Sequence, residues 1–209
     1  QNPAFVLLCF SDFCTYFAIK AMNDWMTLYL NESWLLPLSF AAGMVFWAEL
    51  GGVLGAFLCG PISDFNRGRR ALTSVLFSIG GIIALQWMRV GPAFTKSSSE
   101  QSEAVNGLVG AYILLVTSVG FFLNAPKTLS GIAVKDVTSS EMRGTAVGLL
   151  GLAGQAGAYF SGAPLGFLLE KQGWHVFPNS LVLCSALSGA AMLIVHIIQR
   201  RAAAEKKNA

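Results

Sequence analysis

Apolar residues run along this chain in six long blocks separated by short polar clusters, covering residues 4–30, 36–63, 70–90, 107–134, 144–169 and 177–199. A helix rising 1.5 Å per residue crosses a hydrocarbon core in about 20 apolar residues, and every block reaches that length. The pattern predicts an all-α, polytopic membrane protein of six transmembrane helices. The longest connection, 91–106, contains Lys96, Ser97, Ser98, Ser99 and Glu100. Its polar, Ser-rich composition predicts a flexible external loop.

Composition sharpens this picture. Hydrophobic residues make up 54% of the chain and charged residues only 12%, about half the usual charged share of a soluble domain. That leaves too few charges for a hydrated shell, so the lipid bilayer is the expected surroundings. The net charge of +3 is unevenly placed. Arg67, Arg69 and Arg70 lie between blocks two and three, Lys135 and Arg143 between four and five, and Arg200, Arg201, Lys206 and Lys207 after block six. The intervening connections are poor in basic residues or balanced by Glu32, Glu100, Glu103 and Glu170. The basic side predicts the cytoplasm, with both ends of the chain there. No basic run is interleaved with aromatics, so nucleic acid is not an expected partner. Cys9, Cys14, Cys59 and Cys184 sit in apolar stretches without metal-ligand spacing and read as small buried side chains. The first block has neither a basic leader nor a small-residue cleavage site, so it does not read as a signal peptide. With Gln1 in first place, the expectation is a fragment whose N-terminal part is absent.

Glycine recurs along the blocks. Block two carries Gly51, Gly52, Gly55 and Gly60, and block five carries Gly148, Gly151, Gly154, Gly157, Gly162 and Gly166. Small residues three or four apart let helices approach closely, and such faces can also slide. Pro126 and Pro164 are expected to kink or break blocks four and five, because each removes a backbone donor.

Five ionisable residues fall well inside the blocks: Asp12, Lys20, Asp24, Glu49 and Lys127. Each costs at least about 2.5–3.5 kcal/mol at the bilayer centre and must face protein or a water-filled cavity. Lys20 and Asp24 are four apart and share a helix face, either as a local ion pair or as an anion site with its counter-charge. Glu49 has no cation within helical reach, so either its partner comes from another helix or it is protonated. Lys127 follows Asn124, Ala125 and Pro126, and either holds an anion beside freed backbone groups or snorkels to an interface. No nucleophile, base and orienting residue can be assembled, and His175 and His196 lack metal-like partners. An enzyme, a metal site and a bound cofactor are therefore not expected.

The run Gly60-Pro61-Ile62-Ser63-Asp64-Phe65-Asn66-Arg67-Gly68-Arg69-Arg70 resembles the loop motif of the major facilitator superfamily, which joins the second and third helices of each six-helix half. Asp64 can cap a helix and pair with arginine, and Gly68 permits a tight turn. Three more stretches resemble the organophosphate:phosphate antiporters of that superfamily: Lys20 to Trp25 with Leu28-Tyr29-Leu30, Glu49 to Gly55, and Asn124-Ala125-Pro126 with Leu129 and Gly131. Ala125 stands where the family pattern has glycine. Gly144-Thr145-Ala146 and Gly173-Trp174 are similar as well.

The resemblance spans nearly the whole chain and implies the C-terminal half of a two-half transporter. Such a protein exchanges a sugar or glycerol phosphate for inorganic phosphate by rocking the halves, and the other half is a partner. Its membrane is the endoplasmic reticulum in a eukaryote and the inner membrane in a bacterium. One basic residue of each half binds phosphate. Here that family position falls on Ile19, and Lys20 lies one place along, about 100° round the helix. Lys20, Lys127 and Asn124 are thus the expected substrate contacts. Asp24 and Glu49 match family acids that pair with basic residues of the other half.

Overall fold

The computed structural model describes residues 3–66, 68–97 and 102–208. Helices dominate the described residues: α1 (Pro3–Ser33), α2 (Leu38–Phe65), α3 (Arg70–Ser97), α4 (Ser102–Asp136), α5 (Arg143–Ser161), α6 (Ala163–Gln172) and α7 (Val176–Asn208). A single 3-10 turn, Ser140–Met142, leads into α5. Five of them, α1, α2, α3, α4 and α7, are long and apolar enough to cross a membrane. Helices α5 and α6 follow one another across Gly162 and complete the bundle as a broken sixth pass.

The outward faces are apolar. Phe46, Val53 and Phe57 on α2, Ile83 and Trp87 on α3, and Leu183 and Ile194 on α7 are all exposed. Side chains so large and so contiguous are stable against lipid rather than water. Helix α1 packs against α2, α4, α5 and α7, while α4 also meets α2 and α3, and α3 meets α7. The main core gathers Met22, Met26, Leu30, Trp34, Met44, Leu85 and Phe177. At one end of the bundle Tyr29 stacks with Trp34, Trp174 and Phe177, and Trp174 donates its indole N–H to Glu32 at 2.6 Å.

Close approach explains several glycines. A Cβ on Gly51 or Gly55 would be driven into the carbonyl of Thr117 or Phe121, and one on Gly120 into that of Ala48. The α2 and α4 backbones therefore touch directly, as small residues allow. On α5, Gly157 meets the carbonyl of Phe13, whereas Gly148 and Gly151 face open space with nothing within 4 Å of a Cβ.

Four expectations are corrected. The segment 91–106 is largely helical, since α3 continues to Ser97 and α4 begins at Ser102. Ala, Glu and Lys are good helix formers, and a helix can continue past the apolar block that predicts it. Block five is two helices, and the break falls at Gly162 instead of Pro164. Pro164 sits in the first turn of α6, where its missing N–H is no loss. Of the kink or break expected in block four, the break is absent, because α4 stays helical through Pro126. The last helix extends to Asn208, beyond the expected end at 199.

The loop motif closes α2 and opens α3. The N–H of Gly68 donates to the carbonyl of Ser63 at 3.0 Å, and Gly68 has φ 66°, a left-handed conformation suited to glycine. Gly60 lies half-buried in α2, Asp64 and Arg69 are exposed, and Arg67 lies outside the described residues. Asp64 pairs with neither Arg69 nor Arg70. Among the described residues the one ion pair is Arg70 with Asp136, which joins the start of α3 to the end of α4.

Candidate functional site

Charge is distributed unequally among the helices. No Asp, Glu, Lys or Arg occurs in α3 from Ala71 to Met88, in α5 from Gly144 to Ser161, or in α7 from Val176 to Gln199. The intramembrane charges all come from α1, α2 and α4. These three helices pack on one another, so the polar chemistry lies in one layer of the bundle.

The centre of that layer is a small crevice lined by Ile19, Asn23, Ala48, Glu49, Leu123 and Asn124. Asn23 donates its side-chain N–H to Glu49 at 2.5 Å, which supplies the interhelix partner that the isolated acid required. This partner is a neutral amide, so it brings Glu49 a hydrogen bond and no counter-charge. Asn124 reaches back to the carbonyl of Gly120 at 3.1 Å, and Gly52 leaves room for its amide.

Neither Lys20 nor Lys127 lines this crevice, although each lies within three residues of a position that does. Ile19 is buried at its base, and Lys20, one residue on, is exposed. Asp24 is also exposed and lies beyond ion-pair distance of Lys20. The two share a face without forming the local pair that their spacing allows. Lys127 is half-buried on α4, with its ammonium 4.4 Å from the centre of the Tyr16 ring. Tyr16 and Lys20 are four apart on α1, so both lysines border the same side of that helix.

One turn further along, Asp12 is buried at 3% exposure. Ser130 donates its hydroxyl to Asp12 Oδ1 at 2.7 Å. Sequence reasoning counted Asp12 among the intramembrane charges but gave it no role. Ser130 is a neutral hydroxyl 118 positions away on α4, and nothing local in the sequence pairs it with Asp12. Asn23 escaped notice too, although it adjoins Asp24.

A second cavity is lined by Thr15, Ser78, Phe122, Pro126, Ser185 and Ser188. The hydroxyls of Ser78 and Ser185 are buried there with no protein partner. Pro126 has no N–H for the carbonyl of Phe122, four residues back, so the proline adds a freed acceptor to the same wall. Beside it, Ser188 joins Ser11 at 2.8 Å and Thr15 at 2.9 Å, tying α7 to α1.

No protein-family model matches the chain. Among curated proteins it is similar to a probable hexose phosphate transport protein of Chlamydia muridarum (strain MoPn / Nigg), with 30% identity over 189 residues, covering 90% of this chain and 39% of that protein. It is similar to the glycerol-3-phosphate transporter of Bacillus subtilis (strain 168), with 32% identity over 177 residues, 84% of this chain and 37% of that protein. It is also similar to the membrane sensor protein UhpC of Escherichia coli (strain K12), with 30% identity over 199 residues, 93% of this chain and 41% of that protein. The chain thus spans about two fifths of the length of the relatives it matches. With homology over nearly all of its own length, an all-helical bundle and charge confined to one layer of it, the chain is similar to the organophosphate:phosphate antiporters of the major facilitator superfamily.

Proposed function

We propose that this chain is the C-terminal six-helix half of a secondary transporter that exchanges an organic phosphate, foremost a hexose phosphate, for inorganic phosphate by alternating access. The observation that carries the reading is the charged layer: Lys20, Asp24, Glu49 and Lys127 grouped on α1, α2 and α4 in a bundle whose other helices cross without charge. Intramembrane charges are costly and mark substrate paths. The names of the relatives support the substrate class, since they include hexose phosphate and glycerol-3-phosphate transporters.

In this reading Lys20 and Lys127 hold the phosphate, and Asn124 donates to its oxygens or to the sugar hydroxyls. Asp24 and Glu49 pair with basic residues of the N-terminal half when the site is empty. Gly60, Asp64, Arg67, Gly68, Arg69 and Arg70 form the turn about which α2 and α3 move. The basic end of the bundle faces the cytoplasm, which puts both ends of this chain there. The membrane is the endoplasmic reticulum of a eukaryote or the inner membrane of a bacterium.

The test uses the full-length protein in liposomes loaded with labelled phosphate. Sugar phosphate added outside should release the label, and Lys127→Ala should reduce that release at least tenfold. Similarity to a membrane sensor favours one alternative, a receptor that keeps the fold and binds the same ligand without moving it. Binding of sugar phosphate with no release above protein-free liposomes would select the receptor. Release driven by a proton gradient but by no sugar phosphate would select a carrier of another solute, coupled through Glu49 or Asp24.

A further inference from the structure

Among the described residues Asp12 is the one carboxylate buried in the bundle. Its environment is nearly bare of donors. Ser130 supplies one hydrogen bond to Oδ1. On the other side Gly154 of α5 closes against Oδ2 with no side chain. Cys9 and Tyr16 flank it on α1. Helix α7 approaches with the Ser188 hydroxyl, which is taken by Ser11 and Thr15. The acid of α2, Glu49, sits beside Asn23, roughly three turns along α1. The cation placed beside Asp12 is Lys127: its backbone carbonyl lies 2.9 Å from the same Ser130 hydroxyl, and its ammonium lies over Tyr16, one turn along α1 from Asp12.

Lys127 is placed to serve two masters. Its ammonium lies over Tyr16 on the side of α1 that also carries Lys20, and it is beyond contact distance of Asp12, so no direct bond anchors it there. A four-carbon stem lets a lysine swing between acceptors. A phosphate bound near Lys20 and Asn124 would draw the ammonium toward the crevice. Asp12 would then stay behind, buried, with one hydroxyl donor and a weakened counter-charge. A carboxylate so placed neutralises itself by binding a proton.

We propose that Asp12 and Lys127 form a proton-linked counter-charge pair, in which arrival of a phosphate anion at Lys127 is matched by uptake of a proton from water onto the Asp12 carboxylate. Departure of the anion returns Lys127 and releases the proton. No other bond is made or broken. The proposal rests on the phosphate-exchange reading for its ligand and adds to it a coupling residue outside the crevice.

The experiment adds inorganic phosphate to the detergent-purified full-length protein in weak buffer. A pH indicator reports protons taken up, and labelled phosphate reports occupancy. Phosphate itself exchanges protons, and that contribution cancels when variants are compared per phosphate bound. The wild type should take up about one more proton per phosphate than Asp12→Asn, which should still bind phosphate. Equal uptake in the two, with both occupied, overturns the coupling and leaves the phosphate reading intact. Absence of phosphate binding by the wild type removes the phosphate reading, and this proposal with it. Should Asp12→Asn fail to fold, Lys127→Gln gives the same decision. Its phosphate affinity should fall at least tenfold, and phosphate forced on at high concentration should bring no extra proton. Wild-type uptake persisting in Lys127→Gln overturns the proposal equally.

Discussion

The indole N–H of Trp25 donates to the carbonyl of Ser161 at 2.8 Å, fastening α1 to the last residue of α5. The break at Gly162 ends the helical ladder there, so the Ser161 carbonyl needs a donor from elsewhere. The same ring covers Gly166 in the first turns of α6, where a Cβ would strike it. One side chain thus holds both sides of the break.

Removing the donor while keeping an aromatic ring should loosen that junction. Trp25→Phe is expected to cost about 1 kcal/mol, the net worth of a hydrogen bond, and to lower the thermal midpoint in detergent. Gly166→Ala should lower it as well, because the added methyl meets the ring. An unchanged midpoint in both variants would mean the break is held by other contacts.

Most of the architecture is legible in the chain because lipid exposure imposes one simple pattern. Expected blocks 4–30 and 36–63 differ from α1 and α2 by only a few residues at each end. Helix continuing through 91–97 and 102–106 was hidden because hydropathy reads where the bilayer stops, not where the backbone stops being helical. The broken pass was visible as Gly162 and Pro164, but their order of action was not: glycine ends one helix and proline starts the next. Site residues were legible where they carry charge. The neutral partners that define their roles, Asn23 for Glu49 and Ser130 for Asp12, come from other helices and carry no local signal.

Glycines of similar appearance should behave in opposite ways. Gly120→Ala places a methyl against the Ala48 carbonyl and forces α2 from α4. Overpacking of this kind costs about 1–3 kcal/mol, and the folded yield should fall. Gly148→Ala meets nothing within 4 Å, and the midpoint of this half should be unchanged or raised. Fluorescence-detected gel filtration during a thermal ramp measures both.

The ion pair between Arg70 and Asp136 is half open to solvent, with side-chain exposures of 30% and 48%. Its stability contribution should be below about 1 kcal/mol. Reversal of Arg70 to Asp should nevertheless slow exchange if this junction between α3 and α4 tightens and loosens during the cycle. The double reversal with Asp136→Arg should restore the rate. Rescue in the double variant distinguishes pairing from a general need for positive charge at that end.

Pro126→Ala supplies the N–H that the Phe122 carbonyl lacks, at the wall of the serine-lined cavity. A completed ladder should stiffen α4, raising the thermal midpoint while lowering the phosphate exchange rate. A variant that gains stability and loses no rate would show that flexing of α4 at this point is not part of transport.

The pair formed by Asn23 and Glu49 gives the sharpest test of the crevice. The hydrogen-bond donor to Glu49 is a neutral amide and no described cation pairs with the acid, so an ionised Glu49 would repel an incoming anion unless matched from elsewhere. Glu49→Gln removes the repulsion, and at the effective dielectric of such sites one like charge about ten ångströms away is worth about 1–2 kcal/mol. The KM for sugar phosphate should therefore fall by roughly five- to thirty-fold, while turnover falls because the empty site loses an acid that pairs across the halves. Asn23→Asp creates two carboxylates across the 2.5 Å contact, and they cannot both stay ionised so close together. One must hold a proton, so exchange by that variant should become steeply pH-dependent, falling as the shared proton is lost. A flat pH profile in Asn23→Asp, with the protein folded, would mean that the two side chains part in the working transporter and that the crevice is not the occupied site.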